Sequence, residues 1–327
     1  VDDTEREQLT AIARAFYLED VSKVELAASY GVSRFKIARM LQQAREEGIV
    51  TIEIHGDDGH RDRTAQALTR HLRLQETIVV PAGDTEEDDR RRMARAAAGY
   101  LTRTTDAGDV LGFSWGRTIV AIGEYLNDLP PSTVVQLTGT VGNDLTQSPV
   151  EVIRRIAVRS HVEAVAVFSP LFAATAQAAH ALREDPSIAA ALDRYHDLTT
   201  AVLSVGSWNP PVTQLADFLS ARDRAQLDQH AAVAEMAGIF LDASGRAVDA
   251  DLTDRRIAVS IPQLLATPRV VAVAGSAAKV GAIHAAARSG LITTLITDEA
   301  TARRLQELPP VEDVAHPRPA ADAPRTA

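Results

Sequence analysis

Asp109-Val110-Leu111-Gly112-Phe113-Ser114-Trp115-Gly116-Arg117-Thr118 is the stretch that decides the fold class of this chain. Its first half is a short β-rich run, which passes through a loop of small residues into the helical pattern of residues 118–126. That is the strand-to-helix step of an α/β unit. Such a loop aims backbone N–H groups and the positive end of a helix dipole at one spot, so it can hold an anion, with the Ser114 and Thr118 hydroxyls alongside. The step recurs along the chain. Further β-rich runs lie at 76–80, 133–137, 164–168, 200–205 and 270–274, with helical stretches such as 149–160 and 279–289 between them. Strands alternating with helices long enough to be crossovers predict a Rossmann-like, mostly parallel sheet. In such sheets ligands bind beyond the carboxyl ends of the strands.

Three other carboxyl ends carry comparable loops: Thr138-Gly139-Thr140-Val141-Gly142-Asn143, Gly206-Ser207-Trp208-Asn209 and Gly275-Ser276-Ala277-Ala278-Lys279. In the last, a lysine sits in the first helical turn, where the macrodipole disfavours a cation unless an anionic partner is present. Each loop alone is also an ordinary α/β turn. Lys279 equally suits a solvated surface, and Trp115 and Trp208 equally suit core aromatics or lids over the sheet edge. Together the four loops suit a small phosphorylated and hydroxylated ligand. No Gly-x-Gly-x-x-Gly follows an early strand and no Walker A pattern is present, so no nucleotide cofactor is expected.

Upstream of the alternating region the period changes. Leu9, Ile12, Ala13 and Phe16 fall on one helical stripe. Ser22 can cap a second helix, with Glu25 three residues on completing a capping box. That helix must be short, because Gly31 and the N-cap candidate Ser33 interrupt it before Arg34-Phe35-Lys36-Ile37-Ala38-Arg39-Met40-Leu41. The small Ala27, the turn glycine four residues later and the inward Ile37 occupy helix-turn-helix positions. No acidic residue lies between Leu26 and Arg45, while Arg34, Lys36, Arg39 and Arg45 are basic. The DNA-contacting set is therefore Ser22, Ser33, Arg34, Phe35, Lys36, Arg39 and Arg45, with Phe35 placed to touch a thymine methyl. Gly48 ends the helix, and residues 49–55 alternate as a wing-like strand would. The competing reading is an ordinary three-helix piece with a solvated basic face.

Composition bounds what remains. The chain has 327 residues, 46% hydrophobic and 24% charged, which suits folded units and not a disordered chain. Its formal net charge of -10 repels polyanions overall, so contact with nucleic acid must come from a local basic surface. With no cysteine, disulfides, thiolate metal sites and cysteine nucleophiles are excluded. No run is long and apolar enough to span a bilayer, and the acidic, polar start lacks a secretory pattern, so a cytoplasmic location is expected.

The segments Gly31 to Leu41, Gly112 to Thr118 and Gly290-Leu291-Ile292-Thr293-Thr294-Leu295-Ile296-Thr297-Asp298-Glu299 together resemble the SorC/DeoR-type sugar-binding transcriptional regulators of bacteria. The resemblance implies a winged helix-turn-helix DNA-binding domain at residues 1–55 and an effector domain at 56–308, similar to sugar-phosphate isomerase and deaminase folds. It also implies a tetramer, a dimer of dimers, on operator DNA. The effector would be a sugar, polyol or sugar phosphate, held at Ser114, Gly116, Arg117, Thr118, Thr138, Gly139, Thr140, Gly142 and Lys279. Gly112, Trp115, Gly206 and Gly275 complete the expected lining. Asp242 matches the family's pocket aspartate, although it also reads as a turn residue before Ala243-Ser244-Gly245. One departure is visible: the family often has a second glycine in the last-strand loop, where this chain has Gly275-Ser276-Ala277-Ala278-Lys279. Residues 309–327, rich in Pro and Ala, are expected to be disordered.

The mechanism these features imply is linkage, in which the effector domain favours one subunit arrangement with ligand and another without, and only one of the two spaces the recognition helices to match operator half-sites. The rival is a sugar-phosphate isomerase or deaminase with a helical assembly module. Its catalytic base would come from Asp242, His284 or Asp144, yet no paired carboxylates or Asp-His spacing place acid and base on one loop.

Overall fold

Leu9, Ile12 and Ala13 from one helix meet Leu26 from a second and Ile37, Leu41 and Ala44 from a third, all buried in one small core. The helices are α1 (Asp3–Leu18), α2 (Lys23–Ser29) and α3 (Arg34–Glu46). Each fully buried Leu or Ile contributes roughly 1.5–3 kcal/mol, so these few side chains hold the unit together. The capping box at Ser22 forms in full: the Glu25 N–H donates to Ser22 Oγ at 3.2 Å and the Ser22 N–H to Glu25 at 2.9 Å. Gly31 takes φ +62°, and Ser33 Oγ accepts the Lys36 N–H at 3.2 Å to start α3. Ile49 and Val50 pack against this core without forming a strand, and the rest of the expected 49–55 strand lies outside the described residues.

The structure is a computed structural model that describes residues 3–19, 21–50, 58–142, 148–248 and 250–318. The chain divides into two units, Val1–Asp58 and Gly59–Ala327. The second runs α4 (Asp58–Leu72), β1 (Glu76–Val80), α5 (Glu86–Thr104), β2 (Val110–Phe113), α6 (Arg117–Tyr125), β3 (Thr133–Gln136), α7 (Pro149–Ser160) and β4 (Glu163–Val165). It continues with α8 (Ala176–Glu184), α9 (Pro186–Asp193), β5 (Thr200–Leu203), β6 (Gly206–Ser207), α10 (Ala221–Gln229), β7 (Ala232–Met236) and β8 (Ile239–Asp242). Then come α11 (Asp251–Arg255), α12 (Ile261–Ala266), β9 (Arg269–Val273), α13 (Val280–Ser289), β10 (Thr294–Asp298) and α14 (Glu299–Gln306).

Seven strands form one parallel sheet in the order β1-β10-β9-β5-β2-β3-β4. Alternate residues of its central strands enter two separate cores: Val110, Ala201, Leu203, Val270 and Ala272 point one way, and Leu111, Phe113, Val202, Val271 and Val273 the other. Both faces are thus dry, as a parallel sheet covered by crossover helices requires. The chain runs β2, β3, β4 outward on one side of β2 and then returns with β5 on its other side. The gap between β2 and β5 is the topological switch point, where a crevice opens beyond the strand ends.

Two features were not expected. β6, β7 and β8 form a separate antiparallel sheet, and β10 is a seventh strand beyond the six read from the sequence. Residues 309–318, expected to be disordered, are instead tied down. Val311 is buried in the main core, the Val311 N–H donates to His71 O at 2.8 Å, and the Arg318 guanidinium donates to Thr267 O and Leu291 O at 2.7 Å. Composition favoured disorder; the burial of Val311 and these hydrogen bonds reverse it. Residues 319–327 lie outside the described residues.

Candidate functional site

At the switch point the end of β2 is held by its own hydroxyl. Ser114 is fully buried, and its Oγ accepts the Ser204 N–H at 3.3 Å and donates to Trp115 O at the same distance. Ser204 Oγ donates to Trp115 O at 2.8 Å. These bonds link the loops after β2 and β5, and with its one donor used and its side chain fully buried Ser114 positions the loop. Gly116 follows with φ +127° as the cap of α6, and no side chain satisfies the first N–H groups of that helix. A Cβ on Gly116 would sit 2.8 Å from Ser204 Oγ, so the close approach itself demands glycine.

A cleft opens here, lined by Trp115, Gly116, Arg117 and Thr118 after β2, by Ser204, Val205 and Gly206 after β5, and by Gly275, Ser276 and Lys279 after β9. Of the expected effector residues, Trp115, Gly116, Arg117, Thr118, Gly206, Gly275 and Lys279 line it. The Trp115 indole N–H is buried without a partner among the described residues. Trp208 is a core aromatic: its N–H donates to Asp228 at 2.8 Å and its ring meets Phe240 edge-on.

The remaining expected residues stand elsewhere. Gly112 is a packing glycine, since a Cβ there would lie 2.3 Å from Leu137 Cδ2. Thr138, Gly139, Thr140 and Gly142 do not line the cleft, because their loop is zipped to other chain. Thr138 bridges Ala258, Thr140 bridges Pro170, and the Gly139 N–H donates to Ile257 O at 2.9 Å. Asp242 lies outside the lining and closes a turn, accepting from the Ser244 N–H at 2.8 Å, Ser244 Oγ at 2.6 Å and the Arg246 N–H at 3.0 Å. Burial acts to raise its pKa, but the bonds from Ser244 and Arg246 outweigh it and hold the carboxyl below its usual value.

The side chain that sequence reasoning missed is Glu235. It is 2% exposed, lines the cleft, and accepts the Gly238 N–H at 2.7 Å. Burial pushes its pKa up to about 7, against the pull of that N–H, of Lys279, Thr213 and Arg256. A lone glutamate within Ala232-Val233-Ala234-Glu235-Met236-Ala237 was the available signal. Lys279 is pushed below its usual value by burial and by Arg117, with Glu235 drawing it back up. Glu86, Asp89 and Arg90 from the start of α5 complete the charged lining. The cleft thus pairs donors for ligand oxygens, namely Arg90, Arg117, Lys279 and the α6 N–H groups, with carboxyls that accept from hydroxyls.

In the smaller unit, Ser33, Arg34, Phe35, Lys36, Arg39 and Arg45 are all exposed, opposite the buried Ile37, Leu41 and Ala44. Phe35 is 66% exposed, with the Arg34 guanidinium 4.9 Å from its ring centre. Ser22 is exposed too, but its hydroxyl is committed to capping α2. Of the candidate catalytic bases, His284 Nε2 is bonded to Pro309 O at 2.8 Å away from the cleft, Asp242 closes its turn, and Asp144, like Asn143, lies outside the described residues. Among the described residues no helix is long and apolar enough to cross a membrane.

Residues 59–307 match the sequence family described as "Putative sugar-binding domain". The chain is 31% identical over 303 residues to the uncharacterized transcriptional regulator YjhU of Escherichia coli K12, covering 89% of this chain and 91% of that one. It is 27% identical to the deoxyribonucleoside regulator of Bacillus subtilis, over 93% and 98% of the two chains. The crystal structure of the full-length sorbitol operon regulator SorC from Klebsiella pneumoniae superposes with a TM-score of 0.78 at 23% identity, covering 93% of this chain and 99% of that one. These relatives are named regulators and not enzymes, and the chain belongs to the SorC/DeoR-type family of sugar-binding transcriptional regulators.

Proposed function

We propose that this regulator acts in the cytoplasm as a homotetramer, a dimer of dimers, whose affinity for operator DNA is set by a sugar, polyol or sugar phosphate bound at the switch-point cleft. The observation that carries this reading is the convergence of an uncapped α6 N-terminus, Arg117 and Lys279 with the buried Glu235 in one cleft. The relatives support the ligand class through their names, one as a deoxyribonucleoside regulator and one as the regulator of a sorbitol operon. On the DNA side, α3 and its cap present Ser33, Arg34, Phe35, Lys36, Arg39 and Arg45 as exposed residues from a stretch, 26–45, that contains no acid, which suits the major groove. Ser22 serves there as the cap of α2. A ligand that favours one subunit arrangement a hundredfold contributes about 2.7 kcal/mol per site, and several sites together suffice to switch operator occupancy.

The test is fluorescence anisotropy of the full chain on its own upstream DNA, with sedimentation to count subunits, in the presence and absence of sugars, polyols and their phosphates. Salt-sensitive, sequence-selective binding that one compound shifts is expected. Binding to no fragment at modest ionic strength would overturn the reading.

A further inference from the structure

We propose that Ser276 is a specificity-determining residue of this cleft, holding its hydroxyl against a ligand oxygen beside Lys279. The inference rests on the reading of the cleft as an effector site. Ser276 has φ +109° and ψ 150°, a backbone region that essentially only glycine enters without strain. Across the same cleft Gly116 has nearly the same conformation, φ +127° and ψ 151°. Gly116 stands immediately before α6, and Ser276 immediately before a 3-10 turn, Ala277–Lys279, that runs into α13. The fold makes one backbone demand twice at one site and meets it once with glycine and once with serine.

The strain is held from behind. The Ser276 N–H donates to Thr301 Oγ1 at 2.9 Å, and that hydroxyl donates to the buried Asp298 at 2.6 Å. Gly275 is pressed so closely on Asp298 that a Cβ would meet its Oδ2 at 2.2 Å. Nothing within the protein offsets the cost from the side-chain end, because Ser276 Oγ caps no helix and makes no hydrogen bond among the described residues. It lines the cleft instead, with Lys279, Arg117 and Glu235. A hydroxyl donor next to an ammonium suits a ligand oxygen carrying lone pairs, on a phosphate or on a sugar hydroxyl.

The experiment compares full-length wild type, Ser276→Gly and Ser276→Ala by thermal melting. The probes are inorganic phosphate, D-glucose, D-glucitol and the two 6-phosphates. Without ligand, Ser276→Gly should melt a few degrees higher than wild type as the strain is released, whereas Ser276→Ala should not. Both should bind the compound that shifts wild type roughly tenfold more weakly. Loss confined to the phosphates places Ser276 on the anion, and loss shared by the parent compound places it on a hydroxyl. A stabilised Ser276→Gly that keeps wild-type affinity would overturn the proposal and leave the cleft reading standing. A Ser276→Gly that melts lower would overturn the strain argument. If no probe shifts wild type, the cleft reading fails and this inference with it.

Discussion

Replacing Glu235 by Gln should make the protein more stable at alkaline pH and leave it little changed in acid. The carboxyl lies 2% exposed, and burial raises its pKa from 4.5 to about 7, despite the opposing influence of the Gly238 N–H, Lys279, Thr213 and Arg256. A raised acid pKa means that the folded state holds the proton more tightly than the unfolded one. Between pH 4.5 and about 7 the native chain is protonated where the unfolded chain is not, so stability declines as pH rises through that window and then levels off. At about 1.4 kcal/mol per pKa unit, the burden of the ionised form is roughly 3 kcal/mol above neutrality. Gln carries no such burden and can still accept the Gly238 N–H. Urea denaturation of both proteins at a series of pH values between about 3.5 and 8.5 isolates this group and the Lys279 charge coupled to it, because the titrations of groups distant from Glu235 cancel in the difference. The advantage of the variant should grow from near zero at the acid end to about 3 kcal/mol at the alkaline end. A difference that stays constant across the range would show that Glu235 titrates as a solvated carboxyl. A difference of the opposite sign would show that its attraction to Lys279 outweighs burial.

The two modules should respond separately to substitution. Arg39→Ala should weaken binding to upstream DNA by about 1–3 kcal/mol with relaxed base preference, whereas Lys36→Ala should weaken it evenly and reduce the salt slope by about one, both read by anisotropy. Lys279→Met should raise the concentration of any responding compound needed for half effect at least tenfold or so, read in the same assay; an unchanged response would remove Lys279 from the site. Arg318→Ala should lower stability by about 2 kcal/mol in urea, since it strands the carbonyls of Thr267 and Leu291; a negligible change would show that the Arg318 hydrogen bonds contribute no stability.

Much of the fold was legible because local chemistry and tertiary packing agree. Ser22, Ser33 and Gly31 mark the short helices by capping and by φ, properties that depend on neighbours within four residues. The helix at 149–160 carried its own proline start and apolar stripe. What stayed hidden depends on distant partners. The tail at 309–318 has the composition of a loose segment, yet Arg318 finds carbonyls more than 26 residues away in sequence, at Thr267 and Leu291. The antiparallel β6–β8 sheet is short, β6 follows β5 with no helix between them and β8 follows β7 likewise, so the alternating pattern did not announce it.

The cleft shows the same division at finer scale. Gly-rich loops after β2, β3, β5 and β9 looked equivalent in sequence, and strand order is the first thing that tells them apart. β9, β5 and β2 are consecutive neighbours in the sheet, so their loops converge, and β3 lies one place further out. Adjacency alone does not exclude the β3 loop. Gln136, fully buried at the end of β3, donates to Thr138 O at 2.6 Å and accepts the Val167 N–H at 3.1 Å, extending the pairing with the chain after β4. Thr138 and Thr140 are then drawn into bridges with Ala258 and Pro170, and neither lines the cleft. The place that loop leaves in the wall is taken by β7, and with it comes Glu235, the acidic group that the sequence reading had assigned to Asp242. The carboxyl that the sequence reading placed there, Asp242, does not line the cleft, and that of Glu235 does. Its position could be found only once the antiparallel sheet had placed β7 against the loop after β5, through the pairing of Gly206 with Glu235.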